Sequence, residues 1–184
     1  MNSAEVKQKL KNEITSCLLS IPGILSTTLV GSFINQEGLN GISDIDTVVI
    51  CEKLHEDLFR KCIDAVSEID LVDCGLEDHK LFINSTFGPL KHDGEKIVVV
   101  HLMIYDIESH KNHVIKSPFT CYDWERSSDY FGHYSLKEVF PTGVLSPRDF
   151  FGARRGLSNY LEDLKDGIIS YREYEFIGYN VIEN

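Results

Sequence analysis

Nothing in this 184-residue chain approaches the roughly 18 consecutive apolar residues that a membrane-spanning helix needs. No membrane partner is therefore expected. The opening stretch, MNSAEVKQKLKNEI, is too charged for a secretory signal, so the mature chain is expected to begin near Met1. The five cysteines (Cys17, Cys51, Cys62, Cys74, Cys121) contain no CxxC pair, which argues against a zinc ribbon or a dithiol redox motif. Their odd number, without a signal peptide, points to a reducing, cytoplasmic setting. Cys17 and Cys62 fall in apolar stripes and read as small core hydrophobes. Positive charge is also scarce: 18 basic against 29 acidic residues leave a formal net charge of −11. Such a surface repels a phosphate backbone, so tracking along DNA or RNA is not expected. A nucleotide is not excluded, because a metal and a few local cations can outweigh the global field. The chain has no internal repeat, no low-complexity segment and no evident flexible linker.

What is present is 42% hydrophobic and 26% charged sequence, enough for one domain of ordinary size, or a domain with a small appendage. Asn2 with Glu5 marks a helix start. Val6, Leu10, Ile14, Cys17, Leu18 and Ile21 make one face of that helix, and Pro22-Gly23 ends it. Ser26 to Ser32, STTLVGS, reads as a β-branched strand entering a glycine turn. DIDTVVICE is a second strand, buried in its later part. An amphipathic helix is expected from about Glu52 to Ser67. A strand beginning HKLFIN, a long loop and a strand from Lys96 to Tyr105 follow. Beyond Asp106 the chain reads as helical and polar-aromatic. Ser135 with Glu138, and Ser146-Pro147-Arg148-Asp149, are capping signatures, the second opening a helix expected to reach about Lys165.

The chemistry concentrates between Leu29 and Ile50, LVGSFINQEGLNGISDIDTVVI. Side chains alternate along a strand, so Asp44 and Asp46 share a face. Two carboxylates that close repel unless a cation lies between them. Mg²⁺, which takes one or two carboxylates together with phosphate oxygens and water, suits the pair. The Gly31-Ser32 turn lets backbone N–H groups approach a phosphate, with the Ser32 hydroxyl as a further donor.

A Gly-Ser pair after a strand, eleven residues, then Asp-Ile-Asp in an apolar strand resembles the nucleotidyltransferase superfamily named after DNA polymerase beta. The resemblance covers about residues 1–106 and is nearest in size and layout to the minimal and antibiotic-modifying members. It implies a mixed, twisted α/β (α+β) sheet backed by helices over residues 1–110. A helical C-terminal extension, 111–184, would pack on it. It also implies Mg²⁺ held by Asp44 and Asp46, with the triphosphate at Gly31 and Ser32. The reaction would be transfer of a nucleoside monophosphate from an NTP to a hydroxyl of a small molecule or protein. The family's third carboxylate is missing from the matching strand, KIVVVHLMIYD. Many relatives read Asp-x-His there, which lays Val99 on the acid and His101 on the histidine.

His101 therefore reads as a general base or a metal ligand, or else as a core histidine. Asp106, of opposite parity, is a weaker replacement for the acid. Arg154 and Arg155 could neutralise a triphosphate, although such a pair is more often a solvated helix face. Tyr122, Trp124, Tyr130, Phe131 and Tyr134 could stack a base or acceptor, although such clusters are more often core. The apolar tail suggests contact with the domain, a protein partner or a second copy. A rival reading is a catalytically degenerate fold of the same kind that binds a nucleotide or a protein.

Overall fold

The structure, a computed structural model, describes residues 2–35, 37–39, 44–83, 96–126 and 128–151. The chain begins with α1 (Ser3–Leu19), capped as its sequence predicts: the Asn2 side chain accepts from the Glu5 N–H, and the Glu5 carboxylate accepts from the Asn2 N–H. Strand β1 (Ile24–Val30) runs back beneath it into the one-turn helix α2 (Ser32–Asn35). Then come β2 (Ile45–Cys51), α3 (Glu56–Ser67), β3 (Lys80–Ile83) and β4 (Ile97–Asp106). Helices α4 (Ile107–Lys116) and α5 (Pro118–Arg126), strand β5 (Ser128–Gly132) and the short α6 (Leu136–Val139) complete the named elements.

The five strands form one mixed sheet in the order β3-β4-β2-β1-β5. β3 and β2 both pair parallel to β4, while β1 pairs antiparallel to β2 and to β5. The α/β class expected from the sequence is the one observed. Alternation divides the sheet into two faces. Leu29, Ile45, Val49, Val98, Val100, Leu102 and Ile104 meet α1 and α3 through Leu10, Ile14, Leu18, Leu58, Cys62 and Val66. Val30, Val48 and Ile50, with Met103 and Tyr105, face α4, α5 and α6 through Val114, Cys121, Trp124 and Leu136. Among the described residues no helix is long and apolar enough to cross a membrane.

Two boundaries differ from the sequence reading. The helix expected from Glu52 starts at Glu56, because β2 continues to Cys51 and His55 supplies the cap, its Nδ1 accepting from the Leu58 N–H at 3.2 Å. The segment after Asp106 is not all helix. Residues 128–132 extend the sheet beside β1, pinned by a Lys11–Asp129 ion pair from α1. Gly132 has φ +103, and a Cβ there would lie 2.5 Å from the Leu25 carbonyl oxygen, so only glycine lets this edge close on β1. The Ser135–Glu138 cap forms on α6, and Ser146 with Asp149 caps a turn continuing to residue 151. The expected extension to Lys165, the remaining C-terminal tail, Arg154 and Arg155 lie outside the described residues.

All five cysteines are free thiols. Burial pushes Cys17, Cys51 and Cys62 up to about 11 and Cys121 up to about 12, which keeps them protonated and unreactive. Cys62 is fully buried in the core and Cys17 packs on it, as their place in apolar stripes predicts.

On the α4 side a histidine pair is part of the packing. His110 is 1% exposed and neither ring nitrogen makes a hydrogen bond of ordinary geometry. Burial first, then the neighbouring His113, pushes it down to about 4, against a weaker upward pull from the Leu136 backbone. Burial also lowers His113, whose ring stacks on Trp124 at 5.2 Å. Both rings are packed as neutral imidazoles. The unfolded chain takes up protons below pH 6.5 that the folded chain refuses, so stability present above pH 6.5 is lost as pH falls towards 4. His110 should account for about 3 kcal/mol of that loss. Urea denaturation across this window should show the slope in the wild type and a clearly smaller one in His110→Leu. Equal slopes would mean that the buried imidazole is not the cause.

Candidate metal centre

β2 and β4 lie side by side and parallel, in the register Ile45↔Val100, Asp46↔His101, Thr47↔Leu102. Asp46 and His101 are thus direct neighbours on one rung, on the sheet face that carries Val48 and Met103 further along. Asp44 stands two residues before Asp46, immediately ahead of the strand, so its side chain returns to that face. The result is a convergence. His101 Nδ1 lies 3.4 Å from Asp44 Oδ2 and 3.4 Å from Asp46 Oδ1. One donor atom from each residue lies within 4.8 Å of the other two. The side chains are 22% (Asp44), 31% (Asp46) and 20% (His101) exposed, shielded but open to solvent on one side.

Gly31 forms the wall of this group. Val30 pairs with Asp46 across the β1–β2 ladder, and the chain then turns at Gly31 with φ +74. A Cβ built on Gly31 would sit 2.8 Å from Asp46 Oδ2. Any side chain there would push the carboxylate aside, and the backbone angle itself favours glycine. Ser32 is exposed and opens α2, while Phe33, fully buried, fixes that turn in the core. Lys7 of α1 places its ammonium 5.0 Å from the centre of the Phe33 ring, one residue beyond Ser32. Partial burial, with Lys11 beside it, lowers its pKa. This cation escapes a reading that looks for basic pairs in the C-terminal half. Its signal is the Lys7–Lys11 spacing on α1, which only the packing of α1 along β1 makes meaningful.

The donor set fits a divalent cation. Two carboxylates less than 4.8 Å apart repel by on the order of 3–4 kcal/mol at an effective dielectric of 20, and a cation converts that into attraction. An ion about 2.1 Å from each ligand spans about 3.0 Å across an octahedral edge and about 3.4 Å across a tetrahedral one. The observed 3.4 Å separations lie within reach of both. Asp44, Asp46 and His101 can therefore hold a metal ion. His101, which the sequence left between ligand, base and core roles, brings Nδ1 to 3.4 Å from both carboxylates, an ion-pair contact that also suits a ligand.

Other sequence candidates are drawn elsewhere. Asp106 pairs with Cys51, five rungs along the same ladder, roughly 16 Å away at the spacing of strand residues. It caps α4, accepting from the Ser109 hydroxyl at 2.6 Å and the Ser109 N–H at 2.8 Å, bonds that lower its pKa. It does not replace the missing acid. Val99 is buried on β4, sharing the His101 face. The aromatic group is dispersed. Trp124 is core, Phe131 lies under Lys11, Tyr122 accepts from Arg126, and Tyr130 and Tyr134 are exposed. An open apolar cavity of about 390 Å³ lined by Leu145, Pro147, Phe150 and Phe151 contains none of the metal-centre residues.

Divalent cation should stabilise the fold through these residues. At 100 times its dissociation constant the gain is about 2.7 kcal/mol, or roughly 5–11 °C in Tm for a chain of this size. Asp44→Asn and Asp46→Asn should abolish that rise and, without metal, leave Tm unchanged or higher because the repulsion is relieved. A Tm rise of equal size in wild type and both variants would place the ion elsewhere. Gly31→Ala should lose the metal response as well, while its metal-free stability falls by the roughly 1–2 kcal/mol of a left-handed non-glycine residue. An undiminished response in Gly31→Ala would show that the carboxylate does not need that space. In comparison with known proteins, the chain matches no family model and no curated relative.

Proposed function

We propose that the chain is a metal-dependent nucleotidyltransferase, moving a nucleoside monophosphate from an NTP to a hydroxyl of a small molecule or protein. One observation carries the reading: two carboxylates and an imidazole converge beside a turn whose glycine leaves room for the Asp46 carboxylate. A strand, a Gly-Ser turn and an Asp-x-Asp strand in this order are the parts of the superfamily that the sequence resembles. Mg²⁺ is the ion that two carboxylates and phosphate oxygens suit, and when bound it neutralises charge on the triphosphate as pyrophosphate departs.

The chain's own residues have separable tasks. Asp44 and Asp46 fix the position of the cation at the sheet end. The N–H groups and hydroxyl at Gly31-Ser32 receive phosphate oxygens, and Lys7 adds positive charge beside that turn. The acceptor oxygen attacks the α-phosphorus, the bond from that phosphorus to the bridging oxygen breaks, and pyrophosphate leaves with that electron pair. The hydroxyl proton passes to solvent. Phosphoryl chemistry of this kind asks the protein mainly for positioning and charge neutralisation.

A second reading is favoured by one observation: β4 carries Val99 and no third carboxylate on the His101 face. A site of that composition could bind a nucleotide without turning it over. Pyrophosphate release from Mg²⁺–NTP, measured with a panel of hydroxyl acceptors, separates the two. The enzyme reading expects metal-dependent release that falls at least about 100-fold in Asp46→Asn, the scale of lost transition-state charge stabilisation. NTP binding that requires Asp44 and Asp46, with no release under any condition, would establish the binding module instead.

A further inference from the structure

The third donor of the metal centre is a nitrogen, and that changes which ion the site prefers. Mg²⁺ demands near-ideal octahedral oxygen coordination and gives up water reluctantly. Imidazole nitrogen suits first-row transition ions, whereas carboxylates suit Mg²⁺, Ca²⁺ and Mn²⁺. Here His101 Nδ1 is equidistant from the two carboxylates, 3.4 Å from each, so an ion drawn between Asp44 and Asp46 meets the nitrogen as well. Backbone pairing places it there: His101 and Asp46 share a rung of a parallel ladder. Gly31 has no Cβ to displace Asp46, whose Oδ2 would lie 2.8 Å from one. The cluster thus has a nitrogen placed between its two carboxylates, which a plain patch of surface acids lacks.

We propose that Asp44, Asp46 and His101 form a transition-metal site that takes Mn²⁺ in preference to Mg²⁺, with His101 Nδ1 as a direct ligand. Among the ions that carboxylates suit, Mn²⁺ is the first-row transition ion, the one to which an imidazole nitrogen adds affinity over Mg²⁺. The inference deepens the proposed function and rests on its assignment of these three side chains as metal ligands. It does not depend on the reaction. Positions not filled by the protein remain for water or phosphate oxygens. His101 in this role sets ion choice, while Val99 occupies the position of the absent third carboxylate.

The test uses the full chain stripped of metal, with Mn²⁺ or Mg²⁺ alone and no nucleotide. Pulsed electron paramagnetic resonance of bound Mn²⁺ should show modulation from a directly coordinated nitrogen. Labelling the protein with ¹⁵N-histidine should change that modulation, a readout that needs no variant to fold. His101→Asp should keep Mn²⁺ binding, lose the nitrogen signal, and reduce the Mn²⁺-over-Mg²⁺ affinity ratio at least about tenfold. The nitrogen signal should also vanish in Asp44→Asn/Asp46→Asn, which excludes the other histidines as its source. Bound Mn²⁺ without nitrogen coupling, an unchanged affinity ratio in His101→Asp, or no Mn²⁺ binding would each overturn the proposal. Pyrophosphate release supported equally by both ions, with no nitrogen signal, would sustain the enzyme reading and reject this one. A nitrogen-coupled ion without pyrophosphate release would do the reverse.

Discussion

The pairing of β2 with β4 is the constraint on which the rest of the site depends. Parallel strands have no hairpin to set their register, so it is fixed by what each face buries. Here Ile45 and Val49 must meet the α1–α3 side while Val48 and Ile50 meet α4–α6. A slip of one residue would exchange the two sets and turn Asp46 and His101 into opposite faces. Burial on both sides therefore holds Asp46 opposite His101 as firmly as it holds the core. The site inherits its geometry from hydrophobic packing several residues away.

The like-charged pair at the end of β2 is an electrostatic cost, and His101 Nδ1, 3.4 Å from both carboxylates, is a group placed to offset it. Asp46 lies beside Val30 and Gly31, and the acidic chain as a whole, at −11, adds to the field. Stability comes from the two apolar layers, with local features, such as the Asn2–Glu5 box and the Lys11–Asp129 bridge, setting the ends of elements. A marginally stable domain that keeps two converging carboxylates is one in which a cation has something to gain. The Gly31 turn points the same way, since a positive φ is tolerated here where a side chain would strike Asp46.

Much of this was legible locally. The Asn2, Ser135 and Ser146 caps are read from three or four consecutive residues, and the period of two through DIDTVVIC fixes which aspartates share a face. The failures come where the deciding contact is distant. Strand β5 is a five-residue edge whose only strand partner in the described sheet is β1, far back in the chain, and Tyr-Phe beside Gly carries no strand period. The start of α3 slipped because histidine, an unusual cap, replaced the Ser, Thr, Asp or Asn that capping rules seek. Parity alone placed His101 and Val99 on one face but could not say which rung they occupy. Asp106 looked available from sequence, yet its Oδ1 accepts from Ser109 and its Oδ2 from the Leu54 N–H.

The central claim is that Asp44, Asp46 and His101 hold one divalent ion. The most direct measurement is an anomalous-difference map from crystals equilibrated with Mn²⁺, collected at wavelengths where manganese scatters strongly. The account requires a single peak bonded to an oxygen of Asp44, an oxygen of Asp46 and Nδ1 of His101, each at about 2.1–2.3 Å. A fully loaded crystal with no peak at the end of β2, or with its ion bound elsewhere on the acidic surface, would contradict it.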